Sequence, residues 1–211
     1  MTEEIRIDDL AAPVLTDIQQ LGLDYGESKS TELSVDAVLA AAVARTGLDD
    51  FGPDDFGDRL GRQLAEMDAD GDRTGLGRML FFDDCVRSAA NRLLIHDLLR
   101  RHPEIGEVPI ERPVIVIGLP RSGTTNLVNL LAADSRFRSM PLWESYEPVP
   151  NPTDVVGPDG VDPRWTRSQA TWEAMEAAAP LVAAMHPMEQ DHVHEENELM
   201  APYFSNYNLE W

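Results

Sequence analysis

The sequence predicts an α/β fold: a parallel sheet core, incomplete in this chain, preceded by an α-helical N-terminal subdomain. Three observations carry that prediction. Residues 34–103 hold three successive apolar patterns of helical spacing. Val114, Ile115, Val116 and Ile117 form a β-branched run without alternation, the pattern of a strand buried on both faces of a parallel sheet. A glycine-bounded turn, Gly118 to Gly123, then leads directly into another helical pattern.

Residues 1–33 are polar and weakly periodic, and read as a loosely held arm. Ser34 is placed to cap a short helix through Val35, Leu39 and Val43 that Gly47 ends. Asp54 or Asp55 could cap a second, in which Phe56, Leu60, Leu64 and Met67 share a stripe. A long third helix is expected from Leu76 to Arg101. Met79, Phe82, Val86, Ala89 and Leu93 give its buried face, Arg87, Arg92, Arg100 and Arg101 its exposed one, and His102-Pro103 its end. These helices make a subdomain over 34–108, and 109–211 forms the second region.

After the Val114–Ile117 strand, Leu127, Leu130 and Leu131 fall on one face of a helix opened by Thr124, Thr125 and Asn126. Arg136 to Leu142 could supply a short second strand. A proline-rich loop follows, and loops of that length usually shape a site. Asp162 and Pro163 suit the N-cap and first position of a helix reaching Ala179, and a last helix is expected over Glu195 to Phe204. A central strand needs partners on both edges, and only about one other candidate exists, so the chain reads as a fragment or a truncated product, unless another chain completes the sheet.

The turn at 118–123 reads as an anion cradle. Glycines allow close backbone approach, and the unpaired N–H groups and positive dipole end of the following helix converge on it. A nucleotide triphosphatase loop would carry lysine where Thr124 stands; here the cation is Arg121, inside the loop, and no lysine follows Lys29.

Composition narrows the partners. The formal charge of −21 argues against general binding to nucleic acid or anionic membranes. Local arginines must therefore receive an anionic ligand: Arg121 first, with Arg136 and Arg138 as weaker candidates. No apolar run approaches a membrane span, the N-terminus is acidic rather than basic, and Cys85 is the single cysteine, so a cytoplasmic setting without disulfides is expected.

Arg121-Ser122-Gly123-Thr124-Thr125, set between strand and helix, resembles the 5′-phosphosulfate loop of sulfotransferases that use 3′-phosphoadenosine 5′-phosphosulfate. Thr46-Gly47-Leu48-Asp49-Asp50-Phe51-Gly52, Arg101-His102-Pro103-Glu104-Ile105, Leu142-Trp143-Glu144 and His186-Pro187-Met188 extend the similarity, in order, to a bacterial branch of that family, over roughly residues 40–205. The resemblance implies a P-loop-like sheet core and transfer of a sulfonate group to a hydroxyl or amine of a small-molecule acceptor, without a metal. It implies that backbone N–H groups of Arg121, Ser122, Gly123, Thr124 and Thr125 hold the phosphosulfate. Arg121 would stabilise the leaving oxygen, and the hydroxyls of Ser122, Thr124 and Thr125 would bind its neighbours. Glu144 occupies about the place of a catalytic glutamate in tyrosylprotein sulfotransferases, and His186 is the second candidate base, because other members use histidine. No arginine-serine element for the donor's 3′-phosphate follows the cradle.

Two other readings remain beside this one: a truncated, inactive relative acting as an interaction module, and an atypical P-loop kinase or triphosphatase. A divalent metal on His192, His194 and a carboxylate of the 191–196 stretch is disfavoured by the helix start expected at Glu195. No membrane insertion or nucleic-acid partner is expected, and a homo-oligomer stays open.

Overall fold

The computed structural model describes residues 9, 11–119, 122–186 and 188–205. Nine α-helices are found among them, in the order α1 Asp17–Glu27, α2 Val35–Thr46, α3 Gly57–Ala69, α4 Gly75–Arg101, α5 Thr124–Ala132, α6 Leu142–Tyr146, α7 Pro163–Ala178, α8 Pro180–Met185 and α9 Asn197–Met200. Short 3-10 turns cover Pro103–Glu107 and Ala201–Tyr203. None of the described helices is long and apolar enough to cross a membrane.

The core lies where the three apolar stripes meet. Val38 and Ala42 of α2, Leu60 and Leu64 of α3, and Cys85, Ala89 and Leu93 of α4 are buried together with Phe56. The caps obey the local chemistry: Ser34 accepts from the Ala37 N–H, and Gly47 ends α2 at a φ of 71°. Phe56, with no side-chain cap bond, precedes α3; the expected cap Asp55 instead binds Arg92. Burial pushes the Cys85 thiol up to about 12, leaving it an inert core side chain.

Arg92 is not on an exposed face. Its side chain is 7% exposed, and its guanidinium donates to the carbonyls of Phe51 and Pro53 at 2.8 and 2.6 Å and to Asp55 Oδ1 at 2.7 Å. It also lies 4.3 Å from the centroid of the Phe56 ring. Arg87 is likewise drawn inward, over the Tyr146 ring and paired with Asp84 and Glu198. Helical periodicity assigns arginine to solvent by default; the loop carbonyls that these two satisfy come from elsewhere in the chain.

The segment read as a loose arm contains α1, closed by a capping box between Thr16 and Gln19. It docks on α4: Gly75 N donates to Glu27 Oε1 at 2.7 Å, and a Cβ on Gly26 would lie 2.2 Å from Leu76 N. The glycine that breaks the helical pattern in sequence is what allows the two backbones to touch.

The expected sheet does not form among the described residues, which contain one isolated antiparallel bridge, Pro141 to Val193. Val114, Ile115 and Ile117 are 59%, 74% and 88% exposed and carry no ladder. A β-branched run specifies a strand only where neighbours supply hydrogen bonds. The second strand expected over Arg136 to Leu142 reduces to the bridge at Pro141, and α6 begins at once. The last expected helix breaks into α9 and the turn at Ala201–Tyr203.

That broken end ties the two regions together. Phe204, at a φ of 51°, is 1% exposed and stacks on Phe56 with centroids 5.8 Å apart. Gln63 Nε2 donates to its carbonyl, and Arg59 Nε donates to that of Tyr203. Asp162 caps α7 by accepting from the Arg164 N–H, with Pro163 at its first position, as the sequence implies.

Candidate functional site

The cradle is built from local backbone geometry. Gly123, at a φ of 93°, occupies the left-handed region and hands the chain to α5 at Thr124. No side chain caps α5, so its first N–H groups are left for another acceptor. Ser122 N donates to Leu119 O at 3.1 Å, closing the turn. Ser122 and Thr124 fold back over Gly118: a Cβ there would meet Ser122 Oγ and Thr124 Cγ2, each at 2.7 Å. Both hydroxyl-bearing side chains are therefore gathered on the glycine face of the turn. Pro120 and Arg121 lie outside the described residues, and so does the cation expected in the loop.

Thr125 departs from its expected role. Its Oγ1 donates to Glu195 Oε1 at 2.8 Å, which leaves its backbone N–H, rather than its hydroxyl hydrogen, for an anion. Burial raises the Glu195 pKa, but the Thr125 bond, its own backbone N–H and the neighbouring His194 and His186 outweigh that and hold the carboxyl below the usual range.

A second contact explains why Glu195 reaches α5. Asn129 Oδ1 accepts from Val193 N at 2.9 Å, while its Nδ2 donates to Val193 O at 2.8 Å. This one side chain imitates a strand neighbour and pins the 190–195 segment along the helix. On the other side, Leu142 N donates to His192 O and Trp143 N to Gln190 O, at 2.9 and 3.1 Å. The segment is thus held between α5 and α6.

The two candidate bases belong to elements that touch this segment. Glu144, in α6 rather than after a strand, pairs through Oε2 with Arg138 Nη2 at 2.6 Å; its side chain is 22% exposed. Arg138 is thereby committed to Glu144, and Arg136 is committed to Asp134, so neither is a ready anion ligand. His186 caps the C-terminal end of α8 and places its ring 5.1 Å from that of His194. His186, His194 and Glu195 each offer a ligand-capable atom, all within 4.8 Å of one another. The sequence reading grouped His192 and His194 with a carboxylate of the 191–196 stretch, whereas the structure gathers His194 and Glu195 with His186; Asn129 was missed, and an amide inside an otherwise apolar helix was the available signal.

Away from the cradle, a cavity of about 250 Å³ lies between α4 and α7, lined by Trp143, Tyr146, Arg164, Ser168 and Glu198. Arg164 stacks 4.8 Å from the Trp143 ring, and Arg167 bridges Glu147 and Asp154, fastening the proline-rich loop to α7.

A family model described as Sulfotransferase family matches residues 113–211. Among solved structures, the chain is similar to sulfotransferase STF1 from Mycobacterium tuberculosis H37Rv, with a TM-score of 0.69 and 28% identity over 84% of this chain and 48% of that one. It is also similar to sulfotransferase STF9 from Mycobacterium avium, with a TM-score of 0.72 and 26% identity over 86% of this chain and 46% of that one. The chain spans about half the length of these solved relatives. No curated protein matches it.

Proposed function

We propose that this chain is a sulfotransferase and that its cradle takes the 5′-phosphosulfate of 3′-phosphoadenosine 5′-phosphosulfate for transfer to a hydroxyl or amine of a small acceptor, a reading supported by the match of residues 113–211 to the sulfotransferase family model and by the likeness to two mycobacterial sulfotransferases. The observation that supports this reading most is the Gly118–Thr124 turn. A left-handed Gly123 opens an uncapped helix there, with the side chains of Ser122 and Thr124 folded over Gly118. Such a turn presents N–H groups and a positive dipole end to an anion.

In this reading the N–H groups of the loop and of Thr124 and Thr125 fix the donor, and the Ser122 and Thr124 hydroxyls complete its shell. Arg121 supplies the cation at the bridging oxygen, where charge grows as the acceptor attacks in line and the sulfur–oxygen bond to the phosphate breaks. The acceptor proton passes to a base, for which Glu144 is proposed and His186 is the alternative. The transfer itself requires no metal. A cytoplasmic setting accords with the single, buried Cys85.

Calorimetry with 3′-phosphoadenosine 5′-phosphate in magnesium-free buffer tests the proposal. Saturable binding that Arg121→Ala weakens is the expected result. Binding of ATP alone, and only with magnesium, would move the chain to the kinase or triphosphatase reading, and absence of any nucleotide binding would overturn the donor assignment.

A further inference from the structure

The cluster formed by His186, His194 and Glu195 has no task in the sulfonate-transfer scheme once Glu144 acts as base. Its composition and surroundings are those of a metal site. Two imidazoles and one carboxylate form a borderline nitrogen and oxygen set, the kind that holds zinc with one position left open. Their ligand-capable atoms already lie within 4.8 Å of one another. Four ligands around a tetrahedral zinc are separated by roughly 3.3 Å, given bonds near 2.0–2.1 Å, so modest side-chain rotation closes the set.

The outer partners point the same way. The His194 side chain is only 6% exposed, its Nδ1 lies 3.9 Å from Glu195 Oε2, and its Nε2 lies 3.3 Å from His192 Nδ1. With a metal on Nδ1, Nε2 carries the proton and donates to His192, which fixes the tautomer. Glu195 is oriented in the same manner: Oε1 accepts from Thr125, and Oε2 remains on the histidine side. A hydrogen-bonded second partner on each ligand is the usual support of a bound metal. The backbone is braced as well, because Asn129 and Leu142 hold the segment between His192 and Val193 from opposite sides.

We propose that His186, His194 and Glu195 bind one divalent transition-metal ion of the zinc class, which ties the end of α8 to the 194–195 segment that Thr125 anchors to the first turn of α5. The ion offsets the Glu195 charge beside the anion cradle and occupies His186, leaving Glu144 as the base. The site stands apart from the donor reading: metal binding and nucleotide binding are separate measurements, and either can fail alone.

The test is titration of chelator-treated protein with Zn²⁺ and with Co²⁺. One equivalent should bind, and Co²⁺ should develop the visible absorption of a four- or five-coordinate site. His186→Ala and Glu195→Gln should each weaken binding by more than ~100-fold, and His192→Ala, an outer partner, by ~10–100-fold. His186→Cys should keep the site and add a sulfur-to-cobalt charge-transfer band, which separates ligation from loss of fold. Absence of stoichiometric uptake at micromolar metal, or uptake unchanged in a His186→Ala/His194→Ala double variant, overturns the proposal.

Discussion

Thr125 Oγ1 donates a hydrogen bond to Glu195 Oε1 at 2.8 Å, joining the first turn of the cradle helix to a chain segment seventy positions away. The two residues need each other for different reasons. A carboxylate of this partly buried kind requires a donor, and the helix start tolerates an anion because of its dipole. Thr125→Val should remove the donor and loosen the segment. The Val193 amide, held by Asn129, should then exchange about ten times faster, the equivalent of roughly 1.4 kcal/mol, and Thr125→Ser should restore its protection. Hydrogen exchange measured by NMR checks this.

Arg92 predicts an asymmetric pair of substitutions. Arg92→Ala strands two loop carbonyls in a buried place and should destabilise the fold by about 3 kcal/mol. Asp55, whose side chain is 56% exposed, leaves those two bonds intact when removed, so Asp55→Ala should cost no more than about 1 kcal/mol. Urea midpoints of the two variants decide. Equal losses would place the stabilisation in the ion pair rather than in the carbonyl bonds.

Acid should weaken the attachment of the proline-rich loop. Side-chain hydrogen bonds from Arg167 to Asp154, and from Arg164 to Asp162, hold both carboxyls below the usual aspartate range. A carboxyl depressed in the folded state contributes stability above its unfolded pKa, near 3.9, and that contribution is lost as pH falls through the lower folded value. The melting temperature should therefore drop below about pH 4. Asp154→Asn should flatten that slope; an unchanged slope would assign acid sensitivity to other carboxylates.

Much of the helical half is legible in sequence, because its information is local. Ser34, Gly47 and the Asp162-Pro163 pair carry their own stop and start chemistry, and the α4 stripe from Met79 to Leu93 repeats over about four turns. The site was legible only in part. The Gly118–Gly123 turn is contiguous, whereas Glu195 joins Thr125 through a fold-back that no local pattern encodes. Val114 to Ile117 show the converse: the residue types are those of a strand, but strand pairing is a property of neighbours, and here Val114, Ile115 and Ile117 are exposed without a ladder. Arg92 was misjudged for a related reason, since its burial is explained by the carbonyls it meets and not by its own propensity.

Phe204 offers a direct measure of how far the end of the described chain supports the helical core. Its ring is 1% exposed against Phe56, and truncation to alanine leaves a cavity that this cluster cannot readily refill. Phe204→Ala should destabilise by about 3 kcal/mol, read as a lower urea midpoint with an unchanged slope. A loss under about 1 kcal/mol would show that the helices are stable without the Ala201–Phe204 turn.

The choice of base can be settled by comparing two variants in the active protein. Glu144 is held by Arg138 at 2.6 Å and is 22% exposed, so Glu144→Gln keeps the shape and one hydrogen bond while removing the proton acceptor. Turnover should fall by ~10²–10⁴, the ordinary contribution of a general base, with little change in donor affinity. His186→Gln should leave the chemical step much less affected, because in the proposed arrangement its imidazole supports Glu195 and not the acceptor. A full rate in Glu144→Gln combined with a collapse in His186→Gln would transfer the role to His186.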